Sequence, residues 1–424
     1  MSRLPALGLV LLGLLGLGLA WLVHDTPLAP QRAQGWLRVD ALSALTLLAL
    51  AGHGLVGRLG WSSLFGAGLF GLATLSGHLG LTAGLILLGG VSLVWAGGTW
   101  PERLLPLLAC ALSAVGLVLL GSLAGEWRYA TPGAGLGRNS ISLVLLLLAL
   151  LLAGGGLDLV RSQPATSQPL TVTILLYALL RLFSLGPWNL GWLLAALLLG
   201  AILALLAAWQ GATAPCEEAC HWLGIYLVGV AITTLGLGSS AGVAAAGYAM
   251  LAWPILRLGL ETVGSTGWVV WPMSAALPLS APFLVGWMSI AAALAGGVSL
   301  LAAALWGATL LAAMPAARRA SSPTAVKPAA NSTRHLLAAA LSLALGLGAP
   351  LVLAGLLGPV AAQLQGGLSP YGEIAFWPWA GMIAFDAGRQ PVATMPSFAL
   401  AGLMLILAAL CWLGLRLFAL RPQP

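Results

Sequence analysis

A few groups of residues in this 424-residue chain have types and spacings capable of chemistry. Arg257 and Glu261 stand four apart beside Pro254 in MLAWPILRLGLETVG, a spacing that sets both on one face of a helix. There Glu261 could exchange a proton, while the permanently charged Arg257 could hold an anion or set the protonation of Glu261. The plainer role for the two is a structural salt bridge near a helix end. Asp158 and Arg161 have the spacing of a similar local pair. Arg181, in YALLRLFS, is expected at the end of its helix, where a long side chain can snorkel to water. Asp40, in LRVDALS, precedes a helix and suits its electropositive N-terminus. The run Cys216-Glu217-Glu218-Ala219-Cys220-His221 collects potential metal ligands, but the spacing fits no standard zinc pattern. Glu217 and Glu218 also suit a helix N-terminus, and no metal is expected. His53 and His78 are expected to be packed or interfacial side chains rather than proton relays. The chain has no Gly-rich phosphate loop, nucleophile triad or haem-type histidine pair, so neither catalytic residues nor a cofactor is expected of it.

The elements that must position these residues follow from composition. Hydrophobic residues make up 60% of the chain and charged residues 6%, against roughly 45–50% and about 25% in an ordinary soluble domain. Mean hydropathy is +1.02. A soluble fold could not cover that much apolar surface, and an ordinary globular enzyme is excluded. Apolar stretches of about 20 residues recur from end to end, the length a membrane-spanning helix requires. The alternating ~10-residue strands of a transmembrane barrel are absent. The sequence predicts an all-α polytopic membrane protein with about 14 transmembrane helices, over 4–23, 39–57, 60–77, 79–98, 103–124, 140–157, 170–187, 189–209, 220–237, 240–262, 269–291, 293–314, 335–362 and 397–420. The first is read as a retained helix rather than a signal peptide, because its apolar run is long and no cleavage site follows. The loop 315–334 is basic and rich in Pro, Ala and Ser. The loop 363–396, carrying Trp377 and Trp379, is expected to lie along the membrane surface. Pro254, Pro278 and Pro282 mark kinks or interrupted helices.

Net charge is +7, from 17 basic and 10 acidic residues. With 14 spans, eleven basic residues fall on the side of both termini and six on the other. The excess is read as topology with both termini cytoplasmic, in a bacterial inner membrane, and not as nucleic-acid binding. The four cysteines form no disulfide framework.

The order of several segments carries more than any one of them. LRVDALS is followed by LFGAGLFGLATLSGHLGLTAGLILLGGVSLVWAGG, then YALLRLFS, then GAILALLAAWQGA. After a polar break come HWLGIYLVGVAITTLGLGSSAGVAAAGYAMLAWPILRLGLETVG, LPLSAPFLVGW and GLGAPLVLAGLLGP. This succession, from Leu37 to Gly358, resembles the antiporter-like membrane subunits of respiratory complex I (subunits L, M and N) and of the Mrp-type cation/proton antiporters. The resemblance implies two five-helix units of inverted topology, each with an interrupted helix, and a line of Glu, Lys or His charges along the middle of the membrane. It divides the chain into an N-terminal helix and loop (1–36), a first unit (37–187), a second unit (188–314), the basic loop (315–334) and C-terminal helices with a surface loop (335–424).

Against that pattern the chain is depleted of charge. The family's Glu ahead of its L-x-S-L-like stretch corresponds to Gly90. The lysine of the first interrupted helix falls around Gly154–Asp158, where there is none. The lysine eight residues before the Arg of Y-x-L-L-R corresponds to Thr173, although Tyr177 and Arg181 match. The D-x-K-R entry is replaced by Pro215-Cys216-Glu217-Glu218, and the family His by Trp253. Only Arg257 could keep a cation near its expected place. The ion-pathway candidates are therefore Arg257, Glu261, Asp158 and Arg181. The resemblance implies a membrane subunit of a complex I-type (NADH-quinone oxidoreductase-like) or Mrp-type assembly, partnered by other membrane subunits and lipid. It would be associated with proton or cation translocation yet weakly conducting or structural. The alternative is a stand-alone transporter of a neutral or apolar substrate on the same scaffold. A membrane enzyme acting on lipid-linked substrates would have only Glu373, Asp386 and Arg389 to work with.

Overall fold

The computed structural model describes residues 4–24, 31–33, 36–56, 60–95, 100–124, 127–129, 140–156, 158, 169–183, 190–214, 216–260, 280–320, 332–364, 373–377, 381–385 and 391–395, with 406, 410 and 413. The described chain is a helical bundle. Its helices are α1 (Leu4–His24), α2 (Ala41–Val56), α3 (Trp61–Leu75), α4 (Leu79–Val94), α5 (Trp100–Ala124) and α6 (Ser140–Ala153). There follow α7 (Pro169–Phe183), α8 (Leu190–Thr213), α9 (Cys216–Gly236), α10 (Ser240–Leu260), α11 (Ala281–Ala295) and α12 (Ser299–Ala320). The last described helical stretch is composite: α13 (Ser332–Leu347), α14 (Ala349–Val352), a π-helical turn over Leu353–Leu357, and α15 (Gly358–Leu364). Thirteen of the expected spans thus coincide with helical stretches. The fourteenth, 397–420, lies outside the described residues except at isolated positions.

The burial pattern shows what solvent these helices fit. On α8 the large apolar residues Leu194, Leu198, Ile202, Leu206 and Trp209 are exposed, while Ala196, Gly200, Ala204, Ala207 and Ala208 are buried. Small residues face inward and large apolar ones outward. That is the reverse of a water-soluble amphipathic helix and the arrangement of helices that pack closely inside lipid. α1 likewise exposes large apolar residues, Val10, Leu11, Leu14, Leu17 and Trp21. Among the described residues, two helices, over Arg103–Ser122 and Leu193–Thr213, are each long and apolar enough to cross a bilayer, and ten more helices of 10–17 residues are apolar. The chain is an integral membrane protein.

Close helix approach depends on glycine. α8 and α9 form the most extensive helix pair in the bundle. A Cβ on Gly229 would lie 2.5 Å from the Ala204 backbone nitrogen, and one on Gly200 would run into the Thr233 backbone. The two backbones touch where both lack side chains.

Proline behaves differently from expectation. α10 runs through Pro254 without interruption to Leu260. Proline is tolerated inside helices packed against neighbouring helices, and the Pro254 ring fills space against Gly52 of α2. Pro282 does not break a span either. It occupies the first turn of α11, where its missing N–H costs nothing, and Ser280 caps that helix by accepting from the Phe283 N–H at 3.3 Å. Pro278 lies outside the described residues.

Two small sheets accompany the helices. β1 (Gln31–Ala33) and β2 (Leu37–Val39) form an antiparallel pair ahead of α2. β3 (Glu373–Trp377), β4 (Gly381–Phe385) and β5 (Pro391–Met395) form an antiparallel sheet in that order. The region 363–396 was expected as a loop. Its Ile, Phe, Val and Trp residues satisfy backbone groups by strand pairing instead.

One corner of the bundle is tied together by backbone. The turn between α3 and α4 sits between residues 36–38 and 127–129: Gly77 N–H donates to the Trp36 carbonyl, Leu79 N–H to the Trp127 carbonyl, and Tyr129 N–H to the Gly77 carbonyl. This brackets the end of α2 that begins at Ala41 and brings Arg38, His78 and Tyr129 over it.

Candidate functional site

Asp40 precedes the first residue of α2 and accepts from the Ser43 N–H at 2.9 Å, the side-chain cap expected of an acid at a helix start. Its environment goes well beyond a cap. Arg181, on the last turn of α7, meets the carboxylate in a two-pronged contact: Nη1 donates to Oδ2 at 2.6 Å and Nη2 to Oδ1 at 2.9 Å. Arg38 Nε donates to Oδ2 at 2.9 Å, and Ser43 Oγ to Oδ1 at 2.8 Å. Five donors converge on one carboxylate. Asp40 and Arg181 are both buried, at 1% and 0% exposure. Arg181 was expected to snorkel at the interface, and that reading is wrong. Its guanidinium turns inward because a complementary planar acceptor waits there.

Aromatic residues complete the enclosure. The Arg181 guanidinium lies 5.4 Å from the Tyr129 ring centre and 5.2 Å from that of Tyr177, within cation–π range. Tyr177 Oη accepts from Arg181 at 3.3 Å and donates to the Thr74 carbonyl at 3.0 Å, and Ser43 Oγ lies 2.7 Å from the same carbonyl. Burial raises the Tyr129 phenol above its ordinary range, so it stays protonated and donates to Thr82 Oγ1 at 3.2 Å. Beside this cluster His78 is stacked between Trp36 and Trp127, with ring centres 5.4 and 5.9 Å away.

A second polar contact joins the same two helices. His53 Nε2 lies 2.8 Å from Thr173 Oγ1, with both residues buried. His53 is 13 residues beyond Asp40, about 20 Å along a helix at 1.5 Å per residue, while Thr173 precedes Arg181. α2 and α7 therefore run antiparallel with a polar contact near each end. Thr173 occupies the position that the resemblance assigns to a lysine, and the group that meets it is a histidine. His53 is packed, as expected, but its partner was not legible.

Asp158 pairs with His221, Oδ2 to Nε2 at 2.8 Å, joining the chain just past α6 to α9. The turn into Asp158 needs Gly155, whose φ of +90° suits glycine. The sequence reading had offered Arg161 as the partner of Asp158; Arg161 lies outside the described residues. Arg257 is on the last turns of α10, but its side chain and Glu261 also lie outside them, so the expected i, i+4 pair does too. Glu217 and Glu218 occupy the first turn of α9, as expected for acids at a helix N-terminus.

The substituted positions are packed tightly. At Gly90 a Cβ would meet Cys110 Cβ at 2.7 Å and Sγ at 2.9 Å, because α4 and α5 close on each other there. Trp253 is buried at 4% exposure, and its ring lies where a Cβ on Gly224 of α9 would come within 2.8 Å. Trp222 is buried as well. These two tryptophans are core residues, unlike the exposed Trp21, Trp95 and Trp100.

The sequence reading had the ends of the main cluster, in LRVDALS and YALLRLFS, but not their union. One signal was available: an arginine inside an otherwise apolar helix needs a buried acid, and few acids exist in this chain. Tyr129 and Thr74 gave no signal.

No protein-family model and no curated protein matches the sequence. Solved structures do resemble the fold. A chain of the Mrp complex from Dietzia sp. superposes with a TM-score of 0.68 at 16% identity, over 86% of this chain and 92% of that one. A chain of respiratory complex I from Thermus thermophilus gives 0.68 at 18% identity, over 87% and 96%. A chain of the membrane-bound sulfane sulfur reductase, an archaeal respiratory membrane complex, gives 0.62 at 17% identity, over 86% and 93%. The chain has the fold of these chains from three membrane assemblies, two of them of the kinds named by the sequence resemblance.

Proposed function

We propose that the protein is an antiporter-like subunit of a complex I-type or Mrp-type membrane assembly, held beside related membrane subunits, and that it conducts ions weakly or serves as a structural member. The observation that carries this reading is the saturation of Asp40 by five donors on a scaffold otherwise poor in intramembrane charge. A proton path needs groups that can gain and lose a proton in turn. Asp40 between two arginines is held as an anion, and arginine does not deprotonate. Gly90 and Trp253, where the family carries titratable side chains, are filled by helix packing. We place the division into two inverted units at 37–187 and 188–314, with both termini cytoplasmic and Arg257 and Glu261 as remnants of a conducting site in the second unit.

The test is purification of the tagged protein from its native membranes in mild detergent, with mass spectrometry of the co-purifying proteins. Related membrane subunits in fixed ratio are the expected result. A monodisperse protein recovered alone overturns the reading and favours an independent transporter. In the recovered assembly, Arg257→Ala should lower ion flux in vesicles. Unchanged flux with intact assembly removes the remnant site from the proposal.

A further inference from the structure

The Asp40 cluster carries a charge that it does not cancel. Two guanidinium groups, those of Arg38 and Arg181, share one carboxylate, which leaves one positive charge over. The two cations are held differently. Arg181 is enclosed and meets both carboxylate oxygens. Arg38 reaches Oδ2 through Nε alone, and among the described residues its terminal nitrogens Nη1 and Nη2 meet no acceptor. Nor is that side chain sealed in, since it is 11% exposed. Burial and the neighbouring Arg181 cation hold the Arg38 guanidinium below its ordinary pKa, so its charge is disfavoured where it stands. Arginine does not relieve this by losing its proton. The strand register adds to the imbalance. Arg32 of β1 pairs directly with Arg38 of β2, and like charges opposite each other are destabilising. An anion at Nη1 and Nη2 would satisfy idle donors and cancel the surplus charge together.

The corner lies at an end of the bundle rather than on its flank. α2 begins there, α3 ends and α4 begins at the turn held between residues 36–38 and 127–129, and α7 ends two residues after Arg181. Trp36 and Trp127, 59% and 38% exposed, stand beside it, as amphipathic aromatics do at a membrane–water interface. Lipid phosphates occupy that level of a bilayer, just outside its ~30 Å hydrocarbon core. A guanidinium fork matches two oxygens of a phosphate.

We infer that this corner is a headgroup site for an anionic phospholipid, whose phosphodiester accepts from Nη1 and Nη2 of Arg38 at the level of Trp36 and Trp127. The bound phosphate supplies the second anion that the Arg38–Asp40–Arg181 cluster lacks. The surplus positive charge favours a headgroup with no cation of its own, phosphatidylglycerol over phosphatidylcholine. The inference is independent of whether the chain conducts ions.

The full-length protein, stripped of lipid in detergent, is titrated with dioleoylphosphatidylglycerol or dioleoylphosphatidylcholine, and bound lipid is counted by native mass spectrometry. One phosphatidylglycerol should be retained in preference to phosphatidylcholine. Arg38→Gln should weaken that retention about tenfold, the equivalent of one charge-assisted hydrogen bond. Arg38→Lys keeps a cation beside Asp40 but offers a point charge in place of the fork. It should weaken retention less, and it supplies the test should Arg38→Gln elute as aggregate. Arg103→Gln, near the other end of α5, should change nothing. Equal retention of the two lipids by the parent overturns the proposal, as does unchanged retention in whichever Arg38 variants fold. Displacement of the lipid by millimolar inorganic phosphate overturns it too, and assigns the corner to the free ion. Loss of a co-purifying subunit from the native assembly in Arg38→Gln, with phosphatidylglycerol retention unchanged, would make the corner a protein contact and overturn it as well.

Discussion

Removing either partner of the Asp40–Arg181 contact should reveal how the corner of the bundle is held, and the two removals should differ. In Arg181→Met the apolar stem is kept and Asp40 remains buried, but it retains Arg38 Nε at 2.9 Å, Ser43 N–H at 2.9 Å and Ser43 Oγ at 2.8 Å. In Asp40→Ala, Arg181 loses its carboxylate while the Tyr177 hydroxyl at 3.3 Å and the faces of the Tyr129 and Tyr177 rings remain, the Arg38 cation is left nearby, and α2 loses its cap. Breaking a buried pair from one side costs about 3–5 kcal/mol. Arg181→Met therefore belongs near 3, and Asp40→Ala near 5 once about 1 kcal/mol for the lost cap is counted. In the double variant both members of the fully buried pair are gone and only the partly exposed Arg38 cation is left, so its cost should fall short of the sum by about 3 kcal/mol, the upper range of contact coupling. The assay is reversible unfolding in mixed detergent micelles with rising denaturing surfactant, followed by tryptophan fluorescence for the four members of the cycle. Single variants within about 0.5 kcal/mol of the parent, or a double equal to the sum of the singles, would refute the reasoning. A larger cost for Arg181→Met than for Asp40→Ala would also refute it, because that order contradicts the donor count.

Three further outcomes follow from local geometry. Tyr177→Phe removes the hydroxyl that joins Arg181 to the Thr74 carbonyl, and should destabilise by about 1–2 kcal/mol in the same assay. Gly229→Leu forces a side chain into the Ala204 backbone; it should part α8 from α9, cost more than about 3 kcal/mol as an overpacking change, and make limited proteolysis near residue 215 faster. Gly90→Glu drives a side chain into Cys110 and should abolish accumulation of folded protein, while adding Cys110→Gly should recover folded yield by size-exclusion chromatography; no recovery would show that sterics at this contact are not the cause.

Much of the fold was legible in the sequence because hydropathy is a local quantity. Each span announces itself within about 20 residues, and the described helix limits fall within a few residues of the expected ones, except at 269–291, where α11 begins only at Ala281, and at 293–314, where α12 runs over Ser299–Ala320. Pro254 misled because proline's effect depends on what surrounds it: the rule describes an isolated helix, and α10 is enclosed by α2, α9 and α11. The sheet over 373–395 was missed because polar and Gly-rich spacing hid its strands. The candidate site was the least legible part. Asp40 and Arg181 are separated by 141 residues, and no periodicity connects them. Arg181 was misplaced because position along a helix suggests snorkelling, whereas the side chain responds to the acid across the bundle.

The few charges described in the bundle core show a common use. Arg181 and Asp40 tie α7 to the start of α2, and Asp158 and His221 tie the end of α6 to α9. In water such pairs would add little, since solvent competes for each ion. In a bilayer an unpaired ion is so costly that a pair acts as a register mark: a helix displaced by one turn would leave both partners unsatisfied. Gly–Gly contacts of the α8–α9 kind set distance but tolerate sliding, because one smooth backbone resembles the next. Charge pairs resist sliding and contribute little to distance. A bundle made chiefly of Leu, Ala and Gly therefore needs a small number of polar pairs to be unique, and in the Asp40–Arg181 pair the same contact withdraws the carboxylate from proton exchange. On the reading proposed above, loss of conduction and retention of the fold are two consequences of one arrangement.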